Sequence, residues 1–469
     1  MKLRYLAIAA ACAAVSGHAM ALDKATTIAV PAANQLYIAG SSALQKVIEG
    51  VLSQNCAAGT FTNFKSLAAS FPPDTSNGNS YNIYSCTLNA VNDFGNLAGN
   101  IAVYKREAGG SAQGVFPVAF PAANAAQIKF LDINSCTDGA NTCTSVITNR
   151  APDAGVSDLE PVAFNFTVNQ PTAFAGQKVI NSNFDAVKPP KAVAVQVFGL
   201  IVNDGLYADL QADQGLPPSG QPSVSSAAFT TLYLPGFGLT GLGWTPLLKT
   251  GAKLQSQVNI CSRVLGSGTR ATAQVQFLQS PYNALASAFA VPSIDNTPGA
   301  IKGASTVGNY FVSDESTAGN VGGCVALANA SGGYSVGITS TDRVAPAGTK
   351  FVKLDNQIPS AQPAAGPTAQ DPAQARNGEY PWVFESFYQI NKTAPSLALA
   401  RLFGTAFAKP DNIFAAGAGA NAPTLNGIMA TPENCSGAIY TDWVSAAERT
   451  VCSRVSRQQD SRTPLVFIK

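Results

Sequence analysis

The segment "NICSRVLGSGTRATAQVQFL", residues Asn259 to Leu278, decides the fold prediction. Its first part alternates apolar and polar residues, as a half-buried strand does. Its last part places Ala271, Val275 and Leu278 on one face of a helix. The turn Gly266–Thr269, "GSGT", lies between the two parts, and glycine permits such a tight turn. The segment therefore predicts a strand, a Gly/Ser turn and a helix.

The same unit recurs in "QLYIAGSSALQKVIEGVL", where Gln35–Ala39 is predicted as a strand and Ser41 or Ser42 as a helix cap. A helical stripe follows at Leu44, Val47, Ile48, Val51 and Leu52. "NIAVYKREAGGSAQGVFPVA" repeats the strand at Ile101–Tyr104 and the turn at Gly109–Ser111. Strands that feed helices indicate an α/β fold with parallel or mixed sheets.

Two long apolar runs predict the connection between two lobes. They are "AVAVQVFGLIVN" from residue 192 and "PWVFESFYQI" from residue 381. A chain that leaves one lobe near residue 195 and returns near residue 380 forms two lobes joined by crossing strands. We predict lobe 1 as residues 22–195 plus 380–469, and lobe 2 as residues 196–379.

Residues 1–21, "MKLRYLAIAAACAAVSGHAMA", are predicted to be a cleaved secretory signal ending before Leu22. The signal contains two of the 29 basic residues and none of the 27 acidic ones, so the mature chain carries 27 of each. That balance argues against a nucleic-acid partner. The single histidine, His18, lies in the signal. Catalytic triads with histidine and His-ligated zinc are therefore excluded from the mature chain, for which we expect no metal and no cofactor.

Eight cysteines remain after the signal, an even number in a chain predicted to be exported. Loop-closure entropy favours cysteines that are close in sequence. It therefore favours the pairs Cys56–Cys86, Cys136–Cys143, Cys261–Cys324 and Cys435–Cys452, among 105 possible connectivities.

The prediction of function is based on the Gly/Ser turns. A helix start offers free N–H groups and the positive end of the helix dipole, so it binds anions. In "RVLGSGT", Arg263 adds a planar cationic fork suited to an oxyanion. Asp158 in "AGVSDLEP" also follows a small-residue turn. An acid beside an anion is useful when the anion carries a proton that the acid can accept, as phosphate does at neutral pH and sulfate does not.

A purely structural role, without a ligand, remains open for each of these features. A Gly-Ser-Gly-Thr turn is common in loops, and an aspartate often caps a helix. "GFGLTG" at residues 236–241 matches a dinucleotide-binding pattern, but it lacks a strong helix start and the acidic residue downstream. Lys105 and Arg106 are expected at a solvated strand end.

Taken in order, these segments resemble the phosphate-binding proteins of bacterial ABC-type phosphate importers. The matching segments are "YIAGSSALQKVI", "YKREAGGSAQGV", "GVSDLEP", "AVAVQVFGLIVN", "FTTLYLPGFGLTGLGW", "SRVLGSGTRATAQVQFL", "GGYSVGITS", "KFVKLDNQIPSAQ" and "EYPWVFESFYQINK". They extend from about residue 35 to about residue 410. The chain departs from the family at Ala43, where an aromatic residue is common, and in residues 117–150, which resemble an insertion.

The resemblance implies a two-lobed, type II-like periplasmic binding protein in which each lobe is a mixed sheet flanked by helices and a hinge joins the lobes. It also implies a phosphate ligand, a monomer, a periplasmic location and an inner-membrane ABC permease as partner. The ligand-binding positions that it implies are Ser42, Ala43, Ser111, Asp158, Arg263, Ser267, Gly268 and Thr269. Asp158 would accept the proton of the anion.

Two other functions remain open at this point. A secreted phosphatase on this fold would need Ser42, Ser267 or Asp158 as nucleophile, with no histidine in the mature chain to act as base. An extracellular or surface protein could also retain the anion cleft without a role in transport.

Overall fold

A computed structural model describes residues 21–67, 80–124, 126, 128–233, 242–280, 310–342, 344–359, 373–416, 427–436 and 451–468. The segment "GFGLTG" at 236–241, residues 1–20 and part of the Pro/Ala-rich stretch at 360–372 lie outside these ranges. Fourteen strands form one sheet that consists of two mixed half-sheets sharing a single long strand.

The described strands, in chain order, are β1 Gln35–Gly40, β2 Thr62–Ser66, β3 Tyr81–Thr87, β4 Asn100–Arg106, β5 Lys129–Leu131, β6 Cys136–Thr137, β7 Thr142–Cys143, β8 Val146–Thr148, β9 Ala154–Ser157, β10 Lys191–Asn203, β11 Ser223–Val224, β12 Val258–Arg263, β13 Tyr310–Glu315, β14 Ser335–Ser340, β15 Thr349–Phe351, β16 Lys353–Leu354, β17 Val383–Ile390, β18 Ile428–Met429, β19 Val455–Ser456 and β20 Val466–Phe467.

The described α-helices are α1 Lys24–Ile28, α2 Gln45–Asn55, α3 Ala112–Ala119, α4 Pro121–Asn124, α5 Asp204–Asp213, α6 Ser226–Tyr233, α7 Gly268–Leu278, α8 Ala318–Ser331, α9 Ala373–Arg376, α10 Leu397–Phe407 and α11 Pro410–Ala416. Among them, none has the combination of length and hydrophobicity that a bilayer span requires.

Strand β10 joins the two half-sheets. Its first part, Lys191–Val197, pairs with β17 antiparallel, and its second part, from Phe198, pairs with β14 and β15. The first half-sheet continues from β17 through β9, β1, β4, β3 and β2, and the second continues from β14 to β12 and β13. Twelve of the 13 residues of β10 are buried, as expected for a strand covered on both faces.

Parallel pairing places the site turns together. β1 lies between β4 and β9 and is parallel to both, so the turns after these three strands leave the same edge of the sheet. β12 is likewise parallel to β13 and β14 in the second half-sheet. One apolar core continues across both half-sheets, with Phe116 and Phe164 on one side and Trp244 and Tyr334 on the other.

The sequence predictions of fold class and main elements are confirmed: both half-sheets are mixed and are flanked by helices. The stripe on α2 is buried as expected, from Leu44 to Leu52. One detail was wrong, because α2 begins at Gln45 with Leu44 as its cap, and neither Ser41 nor Ser42 caps it. The lobe boundaries stay a prediction.

All four preferred disulfides are present: Cys56–Cys86, Cys136–Cys143, Cys261–Cys324 and Cys435–Cys452. The Cys261–Cys324 bridge ties β12, which ends at Arg263, to α8. It therefore restrains the strand that leads into the Gly-Ser-Gly-Thr turn.

Candidate anion site between the half-sheets

The first turn follows β1 and is fixed to β9. Gly40 has a φ of +115°, and a Cβ there would lie 2.0 Å from the carbonyl oxygen of Val156, so only glycine fits. The Ser41 N–H donates to that same carbonyl at 3.0 Å. The Ser41 hydroxyl donates to Asp158 and accepts from the Ala43 N–H at 3.1 Å. The turn is thus held directly against Asp158.

The second turn follows β4 and also meets Asp158. The Ser111 hydroxyl accepts a hydrogen bond from the Asp158 N–H at 3.2 Å, and both side chains are buried. Gly109 and Gly110 both have positive φ angles, which allow the chain to reverse before α3 begins at Ala112. The turn therefore places Ser111 beside the one carboxylate that the sequence analysis selected.

The third turn leads from β12 into α7. Ser267 caps this helix, with its hydroxyl accepting from the Arg270 N–H at 3.5 Å. Arg263 is 1% exposed and donates to the Thr269 hydroxyl at 3.2 Å. Its other N–H groups donate to the carbonyl oxygens of Glu315 at 3.1 Å and Ser316 at 3.2 Å. The guanidinium is therefore held rigidly beside the start of α7.

The turns from the two half-sheets touch one another. The Ala112 N–H donates to the Gly266 carbonyl at 2.8 Å. A Cβ on Gly268 would lie 2.4 Å from both Asp158 Oδ2 and Ser111 Oγ, and a Cβ on Gly110 would lie 2.7 Å from Ser267 Cα. Glycine at these positions is what permits the close approach, so the two half-sheets are closed upon each other at this point.

Burial dominates the electrostatics of Asp158. It raises the pKa of this carboxyl to about 6, against the opposing effects of the Ser41 hydrogen bond and the charge of Arg263. The nearby carboxylate of Asp342, itself fully buried, raises the pKa further. The carboxyl of Asp158 can consequently gain or lose a proton near neutral pH. Such a pKa suits a group that distinguishes a protonated ligand from an unprotonated one.

Ser42 supplies a donor without an internal partner. Its side chain is 2% exposed, and among the described residues its hydroxyl has no hydrogen-bond partner. A buried hydroxyl without a partner costs about 1–3 kcal/mol. A ligand oxygen at this turn would remove that cost.

Six of the eight predicted positions lie on the three turns or at the start of α7, whereas Arg263 ends β12 and Asp158 follows β9. Ser111, Asp158 and Gly268 are in direct contact, Ser267 packs against the second turn, and Thr269 binds Arg263. Ser42 and Ala43 belong to the turn that Ser41 attaches to Asp158. Their role as ligand contacts stays a prediction.

Lys105 corrects the expectation of a solvated strand end. Lys105 is 0% exposed and Arg106 is 8% exposed. The Lys105 ammonium donates to the carbonyl oxygens of Gly40 at 3.0 Å, Ser41 at 3.1 Å and Arg106 at 2.8 Å. Because these carbonyls belong to the first turn and to the end of β4, the buried cation fixes both beneath the site.

Sequence reasoning missed three groups: Ser41, Lys105 and Asp342. The Ser-Ser pair gave no basis for choosing Ser41 as the residue bonded to Asp158. Lys105 sits in a run of charged residues that is usually solvated, and Asp342 lies in "STDR" without a recognisable motif. Within the described ranges, no group of three or more His, Cys, Asp or Glu side chains is placed to hold a metal ion.

No protein-family model and no curated protein sequence matches the chain. A protein assigned as a phosphate ABC transporter substrate-binding protein, from Clostridium perfringens with bound phosphate, is 13% identical, with a TM-score of 0.35 over 79% of this chain and 93% of its own. An ABC-type phosphate transport receptor from Vibrio cholerae is 10% identical, with a TM-score of 0.34 over 79% and 93%. A periplasmic protein assigned to metal binding is also 10% identical, with a TM-score of 0.35 over 84% and 95%. At this level of similarity, these structures inform neither the ligand nor the family.

Proposed function

We propose that this protein is an exported solute-binding protein that captures phosphate, or a similar protonated oxyanion, between its two half-sheets. The observation that carries the proposal is the convergence of three turns, from both half-sheets, at the buried carboxyl of Asp158. Each turn brings hydroxyl or backbone N–H donors, and Arg263 brings the positive charge.

The anion is held mainly by uncharged donors. The free N–H groups at the start of α7 and the hydroxyls of Ser42, Ser111 and Thr269 surround it. Arg263 supplies a fixed cation whose other N–H groups are already engaged by backbone carbonyls. Because these donors are positioned before the ligand arrives, little ordering accompanies binding.

Asp158 distinguishes protonated from unprotonated anions. As a carboxylate it accepts a hydrogen bond from a P–OH group, and it repels a dianion such as sulfate that has no proton to offer. The turns of the two half-sheets separate to admit the anion and then close around it. In the periplasm, this closed form would be recognised by an inner-membrane permease. The functional unit would be a monomer, without an enzymatic step.

The proposal is tested by equilibrium dialysis of ligand-stripped protein against radiolabelled phosphate, with Ser42→Ala as the variant. We expect one site per chain, and an affinity about threefold to tenfold weaker in the variant, the scale of one neutral hydrogen bond. Ser53→Ala is the matched control, because Ser53 lies on the exposed side of α2 and its hydroxyl donates only to the Gly50 carbonyl. Absence of phosphate binding to the unmodified protein would overturn the proposal.

A further inference from the structure

A cavity lies at the edge of the first half-sheet opposite the three turns. It has a volume of about 450 Å³ and is formed by the start of β10, the end of β17, α10 and the start of α11. Ile390 of β17, in its lining, pairs with Ala154, the first residue of β9. The turns of the anion site follow the last residues of β1, β4 and β9, so the cavity is at the opposite edge of the first half-sheet.

The floor of the cavity is apolar and its walls are stiff. Val193, Tyr388 and Ile390 lie at its base, where each is at most 4% exposed. Tyr388 is fixed because its hydroxyl donates to the Ala400 carbonyl at 3.0 Å. Pro189, Pro190 and Pro410 contribute to the lining, and proline has a restricted backbone. The volume and the apolar floor fall in the range of preformed small-molecule sites.

The rim of the cavity is positively charged. Lys188, Lys191, Arg401 and Lys409 belong to the lining, which includes no acidic residue. Arg401 is paired with Asp185 at 2.7 Å, and Lys409 is paired with Asp93. The ammonium groups of Lys188 and Lys191 have no carboxylate partner among the described residues, although the Lys191 ammonium donates to Asn434 at 3.3 Å and the backbone N–H of Lys188 donates to Asp185 at 3.2 Å. Two cations therefore remain available beside an apolar pocket.

We propose that this cavity binds a small amphipathic monocarboxylate, with its hydrocarbon body against Tyr388 and its carboxylate between Lys188 and Lys191. The apolar floor selects the hydrocarbon, and the unneutralised rim selects an anion over a neutral or cationic analogue. This site is separate from the anion site and does not depend on the function proposed for it.

The test uses calorimetry of the full mature chain with monomeric decanoate, decanol and decylammonium as probes. We expect saturable one-to-one binding of decanoate, and binding at least about tenfold weaker for the two probes without a carboxylate. The double variant Lys188→Gln/Lys191→Gln should weaken decanoate binding by a similar factor. Lys65→Gln/Lys129→Gln is the matched control, because both lysines are exposed and lie outside the lining.

A second variant tests the location. Thr405 is exposed and lines the cavity, so Thr405→Phe should fill it and abolish decanoate binding without lowering the melting temperature. The proposal is overturned by any of three results. These are no saturable decanoate binding, equal binding of all three probes, or decanoate binding that neither the lysine pair nor Thr405→Phe affects.

Discussion

At the scale of single residues, Asp158 determines the chemistry of the proposed anion site. A carboxylate that is 2% exposed is costly unless it is paired or hydrogen-bonded. Burial and the charge of Asp342 destabilise the carboxylate form of Asp158, whereas the Ser41 hydroxyl and the charge of Arg263 stabilise it. The balance places its pKa at about 6, so it is mainly a carboxylate at pH 7.5 and mainly a neutral acid at pH 5.

This titration predicts a pH-dependent choice of ligand. Sulfate affinity should rise as the pH falls toward about 6, by up to about tenfold per pH unit, because sulfate binding then takes up one proton at Asp158. Below that pH the carboxyl is already protonated and donates to sulfate, so the affinity should level off. Calorimetric titration with sulfate from pH 7 to pH 5 measures the sulfate affinity, and an affinity independent of pH would contradict this prediction.

The sequence predicted the residue types of this site better than their contacts. Arg263, Ser267 and Thr269 could be found because a motif of fixed spacing places them at one helix start. The hydrogen bond from Ser41 to Asp158 could not be predicted from the sequence, because it joins residues 117 positions apart and depends on how β1 pairs with β9. The burial of Lys105 is likewise a tertiary effect that local polarity does not reveal.

At the scale of elements, the site depends on how closely the turns approach. Gly268 is the first residue of α7, and its Cα packs against Asp158 and Ser111 of the other half-sheet. Trp382, just before β17, donates to Thr272 at 3.2 Å and so anchors α7 from its buried side. The helix start can therefore reach the first half-sheet only if residue 268 has no side chain.

Gly268→Ala should prevent closure and weaken phosphate binding at least tenfold, because its Cβ would overlap Asp158 Oδ2 and Ser111 Oγ at 2.4 Å. The higher helix propensity of alanine should offset part of the stability that the lost contact between the half-sheets costs. Gly323→Ala is the control: this glycine is also helical, in α8, but a Cβ there meets nothing within 4 Å. Phosphate calorimetry and thermal melts of both variants make the comparison, and equal affinities would contradict the role of close approach.

Strands and helices with strong periodicity could be predicted at this scale. β10, β17 and α2 lie where their apolar patterns placed them, because burial of such patterns leaves few alternatives. The pairings β6–β7 and β5–β8 within residues 117–150 had no such signal. They are short, and their positions depend on the Cys136–Cys143 bridge and on packing against β4.

At the scale of the whole molecule, the segment of residues 452–463 connects the half-sheets behind the site. Arg457 donates to the Val383 carbonyl of β17 at 2.9 Å and to Gln276 of α7 at 3.3 Å. The Ser456 hydroxyl and the Gln459 N–H donate to the buried carboxyl of Glu385. The segment thus fixes the crossing strand β17 relative to the helix of the third turn, a contact that no sequence pattern predicts.

Burial raises the pKa of Glu385 to about 6, so its carboxylate destabilises the folded protein at neutral pH. The folded state binds the proton more tightly than the unfolded state. The free energy of unfolding should therefore fall by about 2 kcal/mol as the pH rises from about 4.5 through 6. Glu385→Gln should remove this part of the pH dependence, as measured by urea unfolding at pH 4.5, 6 and 7.5.

The control for this prediction is Glu379→Gln, which replaces an exposed glutamate in the same region. Asp158 titrates in all three proteins, so only the difference between each variant and the unmodified chain is compared. A Glu385→Gln difference that stays constant from pH 4.5 to 7.5 would show that this carboxyl does not govern the stability of the crossing strand.

In the function that we propose, Asp158 lets the site accept phosphate and reject sulfate. Its most direct test is calorimetric titration of ligand-stripped protein with each anion at pH 7.5, for the unmodified chain and for Asp158→Asn. We predict one-site phosphate binding with no detectable sulfate binding in the unmodified chain, and measurable sulfate binding in the variant, whose amide can donate a hydrogen bond. Equal binding of both anions by the unmodified chain, or an unchanged selectivity in Asp158→Asn, would contradict the claim.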